Sequence, residues 1–188
     1  MEEVLFYLLE KKEFVNKVRE AGKITEETGY ETGFVVLRHE DELKYGEVTL
    51  GNTNSWPQSS ARDSARGITG KREGSLHFHP GKEESDLAPS PEDLRNIAEI
   101  KEVKPEDKWM MIGVKGRESI KLLFLYPLHL ITFFEINLWQ ECRGSSGRDL
   151  IRSFPALKEA DAIFGSNSRE DLVGSLEEFS IASIIVEI

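Results

Sequence analysis

Gly74-Ser75-Leu76-His77-Phe78-His79-Pro80, followed after nine intervening residues by Ser90-Pro91-Glu92-Asp93, is the stretch on which the fold of this chain turns. In an extended strand, residues at i and i+2 emerge on one face, so His77 and His79 present their imidazoles together while Phe78 turns the other way. Pro80 has no N–H to give to a sheet ladder and should end the strand just after the second histidine. Ser-Pro-Glu-Asp is a strong helix start, with Ser90 as N-cap, Pro91 in the first helical position and acids in the first turn. Capping alone accounts for Ser90 and Asp93 locally. The same placement lets Asp93 lean back toward the histidine strand as a third ligand. Two imidazoles and one carboxylate suit zinc and leave a fourth position for water, the pattern of a catalytic rather than a structural site. Asp86, in the intervening acidic loop, is the alternative carboxylate.

Working outward, residues 34–37 (Phe-Val-Val-Leu) form an apolar run fit for a central strand, with Glu31 just ahead of it between Gly29 and Gly33. A glutamate leading into a buried strand can lie at the rim of the sheet. Most glutamates are simply solvated, and Glu47, just before Val48, competes for the same role. Upstream, residues 4–9 fit the beginning of a strand or of a helix. Residues 10–21 carry Phe14, Val15 and Val18 at helical spacing amid Lys and Glu, and Gly22 should stop that helix. Residues 39–44 read as a polar turn and 45–50 as a second strand, making an antiparallel hairpin. Residues 51–74 are rich in Asn, Ser, Gly and Arg. A loop this long inside a compact domain is usually functional or disordered, and here it is expected to border the cleft and help hold substrate.

Beyond the histidines, residues 81–88 form an acidic loop. Leu94, Ile97, Ala98 and Ile100 mark a helix over 91–103 that ends near Pro105. Residues 109–114 and 119–126 are apolar runs joined by Lys115-Gly116-Arg117-Glu118, a hairpin signature. Residues 128–141 look helical, residues 150–164 hold helical turns around Pro155, and 180–188 should close the sheet as a strand. His39 falls in a charged turn, and His129 follows Pro127 in an apolar run as a packed histidine. The order of elements fits an α/β fold, an α-β-α sandwich around a mixed sheet.

The residues now resemble a known family. His77-x-His79-Pro80 with Ser90-x-x-Asp93 is similar to the HxHP…SxxD signature of the JAMM metalloproteases, also called MPN or JAB domains. Glu31-x-Gly33 before an apolar strand resembles that family's upstream ExG segment. The resemblance covers residues 1–127, and residues 128–188 read as a C-terminal helical segment and closing strand, packed on the same domain. The loop between Pro80 and Ser90 is longer than the family's. The resemblance implies the JAB/MPN (cytidine-deaminase-like) form of the sandwich. It also implies Zn2+ held by His77, His79 and Asp93, Glu31 as general base and acid, and Ser90 as hydrogen-bond donor to the oxyanion. The implied reaction is hydrolysis of a peptide or isopeptide bond, at the C-terminal tail of a ubiquitin-like or sulfur-carrier protein. A non-catalytic scaffold of the same fold, or a metallohydrolase of a small molecule, remains the alternative.

Composition bounds these expectations. Twenty-four basic against 34 acidic residues give a net charge of −10, which disfavours a general nucleic-acid binder. Cys142 is the only cysteine, so no intrachain disulfide or cysteine-based zinc site can form, as fits a reducing, cytoplasmic setting. No signal peptide is expected at the N-terminus. The most apolar stretch, 120–134, is interrupted by Lys121, Pro127 and His129, so no membrane span is expected. The oligomeric state has no signature.

Overall fold

A computed structural model describes residues 2–90, 93, 109–127 and 181–188. Helices α1 (Glu2–Glu10) and α2 (Lys12–Thr28) precede strands β1 (Thr32–His39), β2 (Glu42–Tyr45) and the short β3 (Thr49–Leu50). Helix α3 (Gln58–Ser64), β4 (Lys71–Phe78), a 3-10 turn over Glu84–Leu87, β5 (Trp109–Lys115), β6 (Ile120–Pro127) and β7 (Ile181–Glu187) follow. The strands form one seven-stranded sheet in the order β2-β1-β4-β5-β6-β7, with β3 also paired to β1. All pairs are antiparallel except β4 with β5. A parallel pair needs a crossover rather than a tight turn, and the 3-10 turn and Asp93 belong to that crossover. The architecture is thus mixed α/β.

Alternation along the strands divides the sheet into two faces. Phe34 and Val36 of β1, Leu76 and Phe78 of β4, Trp109 and Met111 of β5 and Leu122 and Phe124 of β6 pack with Leu5, Leu8, Phe14, Val18 and Ala21 of α1 and α2. Val35 and Leu37 point the other way and pack with Trp56 and Ala61, so α3 covers the opposite face beside β1. Ser64 Oγ accepts the N–H of Val35 at 3.1 Å, and Ser60 Oγ donates to the carbonyl of Leu50 at 2.7 Å, pinning α3 in place.

Several expectations are corrected. Gly22 does not end its helix: α2 runs to Thr28 and ends at Gly29, whose φ of 70° is the left-handed conformation of a C-cap, while the N-terminal apolar run is helical, one of the two forms expected of it. Gly22 is instead a packing position, since a Cβ there would lie 2.9 Å from Phe78 Cε1 and 3.4 Å from Ile120 Cδ1. The second strand of the hairpin begins earlier than expected and splits into β2 and β3, both paired to β1. The segment expected to be loop over 51–74 contains α3 and the first residues of β4. The histidine strand ends at Phe78, one residue before His79, whose N–H still bonds to the carbonyl of Gly113 at 2.9 Å. β1, β5 and β6 fall where expected, and the closing strand is β7, paired along its length with β6. The helices expected over 91–103, 128–141 and 150–164 lie outside the described residues, apart from Asp93, which is helical.

Substituting Gly22 by Leu should force the side chain against the fully buried Phe78 ring. Overpacking of this kind costs about 1–3 kcal/mol, more than the roughly 1 kcal/mol of helix propensity gained over glycine. Urea denaturation should therefore show a lower midpoint with an unchanged m-value.

Candidate metal centre

The start of β1 and the end of β4 are antiparallel neighbours, with Thr32 opposite Phe78 and Gly33 opposite His77. That register brings Glu31 to the histidines. One donor atom from each of Glu31, His77 and His79 lies within 4.8 Å of the others, in a group that could hold a metal ion. Glu31 is only 5% exposed. Its backbone is fixed on both sides: its N–H donates to the carbonyl of Asn52, and its carbonyl accepts the N–H of Gly51, each at 2.7 Å. Thr32 Oγ1 anchors the strand start to α2 through the Ala21 carbonyl at 2.8 Å and the Thr25 hydroxyl at 2.7 Å. Glu47, by contrast, is exposed and pairs with Lys17 at 3.0 Å. Of the two candidate glutamates, only Glu31 reaches the site.

Asp93 also arrives there. Its Oδ1 lies 3.0 Å from His77 Nε2 and its Oδ2 lies 3.3 Å from His79 Nε2, while the two Nε2 atoms are 3.1 Å apart. Donor atoms bound about 2.0–2.1 Å from one tetrahedral ion stand about 3.3 Å from each other. The spacing of the two imidazole nitrogens fits two corners of such a shell, and each Asp93 oxygen lies close to a different one of them.

Ser90 and Asp93 form a reciprocal cap. The Asp93 N–H donates to Ser90 Oγ at 3.2 Å, and the Ser90 N–H donates to Asp93 Oδ2 at 2.7 Å, the capping-box arrangement. The capping reading of these residues and their approach to the histidines thus hold together. The Ser90 hydroxyl accepts in this cap and keeps its own hydrogen for donation. The other candidate carboxylate, that of Asp86, turns back into its loop: its Oδ2 accepts the N–H groups of Lys82 and Glu83, each at 2.9 Å. His39 is exposed at the far end of β1, and His129 lies outside the described residues.

Two contributors were not recognised from sequence. Trp56 stacks on His77, with ring centroids 6.3 Å apart and planes 9° from parallel. Its indole N–H is held by the carbonyl and hydroxyl of Thr49 at 3.2 and 3.1 Å. Gly33 makes room for this stack, because a Cβ there would lie 2.9 Å from both His77 Cβ and Trp56 Cδ2. The signal was present, since Trp56 is the only aromatic residue between positions 51 and 74. The second contributor is the backbone carbonyl of Asp86, 2.8 Å from His79 Nδ1. No side-chain pattern announces a carbonyl.

The electrostatics follow from burial and pairing. Burial alone would lower the pKa of His79, but the hydrogen bond and charge of Asp93, the charge of Glu31 and the Asp86 carbonyl raise it to about 9. Burial likewise opposes the Asp93 carboxylate, yet the two imidazoles hold its pKa well below the ordinary 3.8. Both shifts favour the pairing of a protonated His79 with an ionised Asp93. Among the described residues, two cavities of about 510 and 400 Å³ lie around α1 and β2, away from this group. Among the described residues no helix is long and apolar enough to cross a membrane. No family model matches the chain, and no curated protein matches it.

The pH behaviour is defined by these shifts. His79 binds its proton more tightly folded than unfolded, so its contribution to stability is full below pH 6.5 and disappears as pH rises through about 9. Asp93 has the opposite sign: its contribution is present above 3.8 and is lost as pH falls through its depressed folded value. Chemical denaturation of metal-free protein should therefore show these two contributions together between roughly pH 4 and 6.5, with stability falling on either side. Ligation requires the Nε2 lone pair of His79, so binding a divalent ion at pH 7 should release about one proton. Calorimetry in buffers of different ionisation enthalpy measures that proton directly.

Proposed function

We propose that this chain is a zinc-dependent amide hydrolase of the JAMM type, built on the JAB/MPN form of the α-β-α sandwich. The observation that carries the reading is the pair of His77 and His79 Nε2 atoms 3.1 Å apart, with the buried carboxylates of Glu31 and Asp93 both beside them. Imidazole donors favour zinc over magnesium. His77, His79 and Asp93 would hold the ion, which supplies Lewis-acid polarisation of a carbonyl and a water of near-neutral pKa.

The chain's own groups supply the remaining chemistry. Glu31, its backbone locked between Gly51 and Asn52, accepts the proton of the attacking water and returns it to the departing amine nitrogen. The Ser90 hydroxyl donates to the carbonyl oxygen as negative charge develops there. Asp93 contributes negative charge beside the two imidazoles. Trp56 shields one face of His77 from water. The substrate on this reading is an amide at the extended C-terminal tail of a ubiquitin-like or sulfur-carrier protein. The fold leaves open the cleavage of a small-molecule amide by the same groups.

One observation favours a second reading, a non-catalytic scaffold: both bonds described for Ser90 are those of a helix cap, and the loop before it is long. Metal content separates the two. Protein purified without added zinc should carry one ion per chain if it is the enzyme and none if it is the scaffold. His77→Ala should abolish that ion. Glu31→Gln should retain it while lowering amide hydrolysis by about 10²- to 10⁴-fold, read on a panel of ubiquitin-like fusions with and without a chelator. Undiminished turnover by the Gln variant would remove Glu31 from the mechanism.

A further inference from the structure

We infer that Asp86 is a positioning residue for the metal centre. On this account the lengthened loop between Pro80 and Ser90 is a clip that fixes which nitrogen His79 turns toward the ion. The inference rests on the metal reading above and concerns residues outside its ligand set.

His79 lies one residue beyond the end of β4, so the ladder that orients His77 does not extend to it. Its backbone keeps one bond, to the carbonyl of Gly113 at 2.9 Å, which leaves the ring to be set by other contacts. The contact that sets it is the Asp86 carbonyl, 2.8 Å from Nδ1. A carbonyl can only accept, so Nδ1 carries the hydrogen, and in the neutral imidazole the lone pair is then on Nε2. Nε2 is the atom that faces His77 and Asp93. Metal-ligating histidines generally depend on such a second bond for tautomer and ring angle.

The carbonyl stays in place because the loop closes on itself. Asp86 Oδ2 accepts the N–H groups of both Lys82 and Glu83 at 2.9 Å, folding residues 82–86 into a tight turn. Gly81 lets that turn close, since a Cβ there would lie 2.3 Å from Asp86 Cγ. Leu87, fully buried, fastens the other end of the turn to the core. The acidic side chain therefore acts on His79 through its own main chain. Both bonds fall on one oxygen, so an amide can replace the carboxylate in this role and a methyl group cannot.

The test uses the full chain and Zn2+ alone. Affinity is measured by competition with a chromogenic chelator, and the imidazole nitrogens are read by 15N NMR of the zinc-loaded protein. Wild type should show His79 protonated at Nδ1 and bound through Nε2. Asp86→Ala should bind zinc roughly 10- to 100-fold more weakly and lose the protected Nδ1–H signal. Asp86→Asn should remain within about threefold of wild type, since its oxygen still accepts both N–H groups. An Asp86→Ala variant that stays folded and binds zinc as tightly as wild type overturns the inference. Should that variant unfold, the wild-type spectrum decides: His79 bound through Nδ1 overturns it, and Nδ1–H with Nε2 bound upholds it. Wild-type protein that takes up no zinc overturns the metal reading itself, and this inference with it. Zinc uptake without the Asp86 effects overturns only the clip.

Discussion

The antiparallel pairing of β1 with β4 is the constraint on which the rest of the centre depends. With Gly33 opposite His77, the residue before β1 and the residues ending β4 must meet at one end of the sheet. A slip of one position would send the imidazoles to the α1 and α2 face, where Phe34, Leu76 and Phe78 now pack. The apolar core on that face therefore does more than stabilise the fold. It fixes the register and, through the register, the position of three titratable side chains.

Bringing those groups together is costly unless each is paired. Asp93 is buried, and its charge persists because both oxygens face imidazoles and one also receives the Ser90 N–H. His79 in turn holds a proton that burial alone would remove. A protonated His79 and a divalent cation would each satisfy the Asp93 carboxylate. A proton and a cation would compete for the same donor atoms.

The surroundings of the histidines divide the work between two otherwise unrelated segments. Trp56, from the polar stretch after β3, holds His77 by its face. The loop after Pro80 holds His79 by its Nδ1 edge. Gly33 links both effects to the strand, because any side chain there would occupy the space of Trp56 and His77. The long loop between Pro80 and Ser90 thus carries a contact that orients the His79 ring.

Much of the centre could be read from the sequence by itself. Alternation put His77 and His79 on one face, Ser-Pro-Glu-Asp marked a helix start, and an apolar run placed β1 behind Glu31. These are local properties, fixed by backbone period and capping chemistry. The sequence could not choose between Glu31 and Glu47, or between Asp93 and Asp86, because each choice depends on which distant strand or loop a residue meets. Tertiary structure turned Glu47 outward to Lys17 and folded the Asp86 carboxylate into its own turn. The reach of α2 past Gly22 was hidden for the same reason: a glycine that would break an isolated helix is tolerated where Phe78 needs the space its side chain would fill.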